Sequence, residues 1–412
     1  MAAPKVIFQR GYTAITPQTA QETIAARVTA LPVESRPLEH CIGAILRQDV
    51  YAERDNPPFD RVCMDGIAIN SVVFDRGVRR FTIEATQAAG VPALTLATAD
   101  NAVEVMTGAM LPRGTDSIIP LEEYDLAGSV VTLKPNATGA RFRNVQLRGS
   151  DSEPGVPMLT SGTRLEAPEV AVVASAGLAT VKVSREPKFM VISTGNELVE
   201  PGRPIEEHQV RRSNAYAVVA ALRRRGFEHV GNDHIPDDEN TLQARLERHL
   251  STSDVLILSG GVSKGKFDLV PKVLKSVGVE EVFHQVAQRP GMPMWFGMGP
   301  GGQAVFGLPG NPVSTLVCLI RYVVPAMSVA MGARRVLPQP LPLAAPVKFH
   351  RAVAYFLPVS IQHDEHGHAG AVPRPPNGPG DFLALTKADG FVELPPRSES
   401  FPAGFVTSFY RW

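Results

Sequence analysis

From residue 186 to about 335 the chain repeats one grammar: a short apolar run, a loop rich in Gly and small polar residues, then an amphipathic helix. "KFMVIST" leads into "GNEL", "HVGNDHIP" into "DDENTLQARLERHLS", "DVLILSGG" into "DLVPKVLKSVG", and "QAVFGLPG" into "NPVSTLVCLIRYVVPAM". Runs that are apolar throughout, rather than at alternate positions, are buried on both faces, and helices between them supply the crossovers a parallel sheet needs. The pattern predicts an α/β unit with a parallel-rich sheet. In such sheets ligands bind outside the carboxyl ends of the strands, so the loops after these runs are the candidate site.

One of those loops, "SGGVSKGKFD" (259–268), is nearly a nucleotide-binding signature. Gly260, Gly265 and Lys266 satisfy Gly, four residues, Gly, Lys, but the position for a metal-binding hydroxyl is Phe267, which binds no cation. A different phosphate cradle is therefore expected. Loops at the strand ends bring Glu197, then Asp237 and Asp238, then Asp268. Ser259, Ser263, Asn311 and Ser314 add donors, and the glycines let backbone N–H groups approach an anion closely. Acid around a phosphate needs a divalent cation to reconcile the two, and Mg2+ is expected. By itself Asp268 reads equally well as a helix cap.

At 412 residues the chain exceeds one ordinary core. "TPQTAQETIAARVTAL" (16–31) has helical spacing, with Thr16 as cap. Residues 51–144 change to short alternating runs closed by Gly, Pro or Asp, which predicts a small all-β unit. "TRLEAPEVAVVASAGLATVKVSR" (163–185) returns to helix and strand. The expected organisation is a helical segment 1–50 that packs with 145–185, an inserted β domain 51–144, the α/β domain 186–335, and a β domain 336–412.

Lys plus Arg and Asp plus Glu both number 41, which leaves no global field for nucleic acid or an anionic membrane. Cys41, Cys63 and Cys318 are too far apart for a disulfide framework or a structural zinc site. With no cleavable segment read at the N-terminus and no apolar stretch of membrane-spanning length, a cytoplasmic location is expected. "HDEHGH" (363–368) reads as a hairpin tip, Cys63 as a small, partly buried thiol, and "RRR" (223–225) as a helix end.

Taken in order, "NPPFDRVCMDGIAI" (56–69), "VMTGAMLPRGTDSII" (105–119), "LRGSDSEPG" (147–155), "ISTGNEL" (192–198), "RRSNAYAVVAAL" (211–222), "LSGGVSKGKFD" (258–268), "RPGMPMWFG" (289–297), "GLPGNPVS" (307–314) and "GPGDFLALTKADGFVELP" (378–395) resemble the molybdopterin molybdotransferases, whose eukaryotic relative is the E domain of gephyrin. The resemblance covers nearly the whole chain. It implies a molybdopterin-binding α/β domain, an inserted β domain, a C-terminal β barrel and an elongated homodimer. It also implies the last step of molybdenum cofactor assembly: molybdate enters the dithiolene of adenylylated molybdopterin, supplied by an upstream molybdopterin adenylyltransferase, and AMP is released.

Carried over by motif, the catalytic set is Asp65, Thr107, Asp151, Glu197, Asp237, Asp268 and Arg289, with Glu197, Asp237 and Asp268 on the metal. The resemblance implies that Asp65 and Asp151 face the α/β loops of the other subunit. The cofactor-binding set is Ser193, Thr194, Gly195, Ser259, Gly260, Gly261, Ser263, Pro290, Gly291, Pro309, Gly310, Asn311 and Ser314. In isolation Asp65-Gly66 also reads as a turn, and Thr107 and Asp151 as loop caps. The sequence departs from the family in "HQVAQRPGMP" (284–293), where Gln285 and Arg289 stand at positions usually held by lysine and Met292 where many bacterial members have another. Arg289 keeps a charge, whereas Gln285 offers a neutral amide, so weakened or re-sited molybdate binding is expected, with Lys264, Lys266, Arg148 or Arg351 as compensating cations. Two alternatives stay open: a divergent paralogue that binds or scaffolds the cofactor without turnover, and a molybdopterin adenylyltransferase, which lacks the "MDG" and "RGSD" segments.

Overall fold

The computed structural model describes residues 5–7, 13–262, 269–378, 380–396 and 400–412. At its centre is a six-stranded sheet in the order Val230–Ile235, Phe189–Thr194, Val255–Ser259, Ala304–Leu308, Trp295–Met298, Glu280–His284. The first four strands are parallel, and the last two turn antiparallel at one edge. Alternate side chains of the buried strands feed two cores. Val191, Ile257 and Phe306 point into one, which takes in Val218 and Leu222 of the helix Ser213–Arg223. Ile192, Leu256, Leu258 and Val305 point into the other, against Leu242, Leu246 and Leu250 of the helix Glu239–Thr252. Burial on both faces is why these strands read as unbroken apolar runs.

The helical run Pro312–Ala330 passes through a π-helical turn at Leu319–Val323. Its 19 residues have a mean hydropathy of 1.7, enough in length and composition to cross a membrane, although no such stretch was expected. It lies mostly inside the protein, and Cys318, Leu319, Tyr322 and Val323 belong to the larger core. Arg321 in the π turn is buried. It donates to Glu393 Oε2 at 2.8 Å and to Gln21 Oε1 at 2.6 Å, so it ties the C-terminal sheet and the helix Pro17–Arg27 to the α/β unit.

Residues Val33–Pro37 pair antiparallel with Thr180–Ser184, and Val50–Tyr51 with Pro157–Leu159, around a core that includes Cys41, Leu46, Val173 and Val183. Between these pairs lies a second six-stranded sheet, ordered Tyr124–Ala127, Val130–Leu133, Arg80–Gln87, Ala102–Val105, Gly66–Ile69, Ser117–Pro120. The region is not purely β: Ser71–Asp75 forms a short helix. Asn70 Oδ1 accepts from Val72 N at 3.0 Å, and Asp116 accepts from Ser71 N at 2.7 Å and from its hydroxyl at 2.8 Å. These side-chain acceptors satisfy the first turn and favour helix over strand.

At the C-terminal end Ala354–His363, Gly390–Leu394, Val406–Arg411 and Gln339–Pro342 pair in antiparallel succession. Leu343 bridges Ala371 of Ala369–Pro373, which pairs back with Ala354–His363, so the pairings run in a ring around Leu357, Val392, Phe401 and Phe409.

Candidate functional site

The strands Phe189–Thr194, Val255–Ser259 and Ala304–Leu308 deliver three glycine-containing loops to one place. A Cβ on Gly260 would lie 2.9 Å from the Thr194 carbonyl oxygen, one on Gly261 2.9 Å from Thr194 Oγ1, and one on Gly310 3.5 Å from the Gly260 Cα. Gly260 and Gly261 also adopt φ of +100° and +66°, conformations that other residues resist. At Gly260 glycine is required because the Thr194 backbone lies against it, at Gly261 because of its positive φ and the Val270 and Thr194 side chains, while the Gly310 contact is ordinary packing. The loops enclose a cavity of about 400 Å³ that reaches the start of the helix Ser213–Arg223 and Phe382 of the C-terminal region.

This cavity collects unsatisfied polar atoms. Ser193 Oγ, Thr194 Oγ1, Asn214 Oδ1 and Arg212 Nε are buried without a hydrogen-bond partner, four of the nine such side-chain atoms among the described residues. Native proteins leave few buried polar groups unpaired, so a cluster of them on one cavity wall makes this cavity the candidate ligand site. Asn214 Nδ2 donates to Ser259 Oγ at 3.0 Å and to Gly310 O at 2.7 Å, which locks two loops together and turns its free oxygen to be satisfied elsewhere. Of the expected binding residues, Ser193, Thr194, Ser259 and Gly310 line the cavity with Gly260, and Gly195 and Gly261 adjoin it. Arg212 and Asn214 were not singled out from sequence, although "RRSNAYAVVAAL" carries both.

Glu197 lines the cavity, and its carboxylate folds back over Gly195, whose Cβ would meet it at 2.5 Å. Asp237 lies on the neighbouring loop, its N–H donating to Asn196 Oδ1 at 3.1 Å. Asp238 accepts from Thr241 N at 2.8 Å and caps the helix Glu239–Thr252. Asp268 and Ser263, with Lys264 and Lys266, lie outside the described residues. Among the described residues no group of three His, Cys, Asp or Glu side chains is placed to hold a metal ion. Asn311 precedes Pro312–Cys318 and makes no side-chain cap, the Pro309 carbonyl accepts from Thr315 Oγ1 at 2.7 Å, and Ser314 is buried.

The 285–293 segment does not line the cavity. Pro290 and Gly291 present their carbonyls to the buried Gln288 amide at 3.1 and 3.3 Å, and Arg289 is exposed on the strand Gln288–Arg289. Gln285 is only 8% exposed, with φ +83° and an unpartnered Oε1. Met292 packs against Ala14, Ala287 and Val353. Arg148 is engaged by Asp55 at 2.5 Å.

Asp65, Thr107 and Asp151 form a separate exposed group flanking the strand pair Arg61–Val62 and Val145–Gln146. Asp65 Oδ1 accepts from Thr107 N at 2.6 Å and from Thr107 Oγ1 at 2.7 Å. These bonds, the backbone N–H first and the hydroxyl second, hold the Asp65 carboxyl below the usual range. Asp151 accepts from Gln146 Nε2 at 2.9 and 3.0 Å, and Gln146 is held in turn by Arg61. Asp65 and Thr107 are thus one unit, and none of the three lines the cavity of its own chain.

Cys63 is exposed, not partly buried as expected, because it ends the strand Arg61–Val62 at the surface beside Asp65. "HDEHGH" is an exposed turn closed by Asp364, which accepts from His366 N and His368 N at 2.9 and 2.8 Å. Arg225 donates to the Ala221 carbonyl at 2.9 Å, as expected of a basic helix end.

Residues 15–177 match the MoeA N-terminal region (domain I and II), residues 190–328 the probable molybdopterin binding domain and residues 340–412 the MoeA C-terminal region (domain IV). The molybdopterin molybdenumtransferase of Synechocystis is 38% identical over 371 residues, 90% of this chain and 93% of its own. That of Staphylococcus epidermidis is 30% identical over 376 residues, 90% of this chain and 88% of its own. Two crystal structures of the molybdopterin biosynthesis MoeA protein from Pyrococcus horikoshii superpose with TM-scores of 0.76 and 0.80 at 29% and 25% identity, each across 97% of this chain. The extent and order of these matches place the chain in the MoeA family of molybdopterin molybdenumtransferases.

Proposed function

We propose that the protein inserts molybdate into adenylylated molybdopterin and cleaves its pyrophosphate link to release AMP. The observation that carries this reading is the cavity wall of Ser193, Thr194, Asn214 and Arg212, whose buried donors and acceptors are unpaired at the carboxyl ends of a parallel sheet. Thr194, Ser259, Asn214 and the backbone around Gly260 and Gly310 hold the ligand, and Glu197 stands at its edge.

Glu197 and Asp237, on loops joined through Asn196, fit Mg2+, which takes one or two carboxylates together with substrate phosphate oxygens and water. Asp268 is the third ligand in this proposal. Bound there, Mg2+ supplies polarisation of the phosphoryl oxygens. The protein's own residues orient the pyrophosphate, exclude bulk water and present carboxylates to a hydrolytic water. Arg289 and the Pro290-Gly291 turn, fixed by Gln288, are the proposed contacts for molybdate, together with Pro309, Asn311 and Ser314 near the nucleotide.

The active unit in this reading is a homodimer, in which Asp65, Thr107 and Asp151 complete the site of the partner. Their exposure and their separation from the cavity of their own chain support it. The proposed modules are 1–50 with 145–185, 51–144, 186–335 and a barrel over 336–412, the last supported by the ring of strand pairings. The proposed setting is the cytoplasm, downstream of a molybdopterin adenylyltransferase. The test is turnover with adenylylated molybdopterin, magnesium and a molybdate titration, following AMP and active cofactor together. Joint appearance of both at low molybdate is expected; binding without AMP release overturns the reaction and leaves a cofactor-binding paralogue.

A further inference from the structure

Arg212 lies in "RRSNAYAVVAAL" but is given no role by the motifs or the resemblance, and among the described residues it is the buried cation of the cavity wall. It is 6% exposed and immediately precedes the helix Ser213–Arg223. Its Nη2 donates to Asn232 Oδ1 at 3.0 Å and lies 2.8 Å from Glu200 Oε2, while Nε, on the same edge of the guanidinium, has no acceptor. Glu200 is itself fixed from the other side, because the Tyr216 hydroxyl donates to its Oε1. A guanidinium with one edge half used and a helix N-terminus beside it is a favourable arrangement for an anion that accepts two parallel hydrogen bonds. Thr194 Oγ1 and Ser193 Oγ, 4% and 1% exposed by residue and likewise unpaired, line the same cavity.

We infer that Arg212 is an anion ligand: it clamps a phosphoryl oxygen of the bound ligand through Nε–H and Nη2–H, and Glu200 is the internal acceptor that the phosphoryl group displaces or shares. The inference rests on the reading of this cavity as a pyrophosphate site and adds to it the residue that supplies positive charge. Glu200 then sets the affinity, because its carboxylate and the ligand compete for one guanidinium edge.

The test is a double-mutant cycle on the full chain, with inorganic pyrophosphate binding measured by calorimetry at fixed ionic strength. Arg212→Ala is expected to weaken pyrophosphate at least about tenfold, the size of a charge-assisted hydrogen bond. Arg212→Lys, which keeps a charge but not the fork, falls between. Glu200→Gln is expected to tighten binding, and to do so only where Arg212 is present. Equal affinities for the wild type and Arg212→Ala overturn the inference. So does tightening by Glu200→Gln of the same size in the Arg212→Ala background, since that reports net charge alone. If the wild type itself does not bind pyrophosphate, the reading of the cavity fails first and Arg212 has no ligand to hold.

Discussion

Arg321 and Arg212 are both almost wholly buried, at 3% and 6% exposure, and they differ in their surroundings. Around Arg321, Glu393 and Gln21 accept from the guanidinium, and the Tyr410 hydroxyl donates to Glu393 Oε2 at 2.9 Å. That network joins three separate stretches of chain and its polar groups are matched. Around Arg212 the guanidinium Nε, two hydroxyls and an amide oxygen lack partners. A satisfied buried network rigidifies what it joins, whereas an unsatisfied one stores a cost that only a ligand or water removes. The first cluster reads as architecture and the second as a site.

The largest effect that sharpens this contrast is expected at Arg321. Arg321→Ala leaves the Glu393 carboxylate, with a side-chain exposure of 20%, without its cation and is expected to cost about 3–5 kcal/mol. Denaturant unfolding followed through Trp412, which packs against Phe391 in the C-terminal region, measures it. A loss below about 1 kcal/mol would remove the distinction between the two arginines.

In the cavity the same kind of truncation should act in the opposite way. Ser193→Ala and Thr194→Val delete hydroxyls that have no partner, so stability is expected to change by less than about 1 kcal/mol or to rise, because a buried unsatisfied group is lost. Binding of adenylylated molybdopterin is expected to weaken about tenfold for each, the size of a hydrogen bond to a charged group. Large destabilisation with unchanged binding would show that these hydroxyls serve the fold.

The parts of this contrast differ in how visible they are in sequence. Phe189–Thr194 and Val255–Ser259 are legible because both faces are covered, so the residues facing either core are apolar. The converging loops are legible because close backbone approach admits only glycine, as at Gly260 against Thr194. The antiparallel turn of Trp295–Met298, next to the edge strand, is not, since an apolar run carries no mark of its direction. Arg212 is illegible for a related reason. A basic residue before a helix ordinarily faces water, and its contacts here, Asn232 on the strand Val230–Ile235 and Glu200 on the preceding loop, are not announced by any pattern around Arg212. Cys63 misleads because its neighbours Val62 and Gly66 are buried while the turn between them faces out. Asp65 and Thr107 each enter the expected catalytic set by motif, and nothing local to either residue announces that they share a hydrogen bond across 42 residues.

That exposed pair offers the smallest and most local test, because it separates a carboxylate held by its own chain from one left free for a ligand. Two bonds from Thr107 hold the Asp65 pKa down, the backbone N–H contributing first and the hydroxyl second. Thr107→Val deletes only the hydroxyl, so the pKa should rise part of the way toward the ordinary carboxylate value of about 3.9. A group whose folded pKa is depressed contributes stability above its unfolded pKa and loses it as pH falls through the folded value. The variant should therefore differ from the wild type at neutral pH and converge with it in acid, below the folded pKa. Carbon-detected NMR titration of the Asp65 carboxyl reads the shift directly. An unchanged midpoint would mean that the backbone N–H alone holds the charge and that the Thr107 hydroxyl is free for a ligand, whereas a partial rise would place the hydroxyl on Asp65, fixing that carboxylate in one orientation before any ligand arrives.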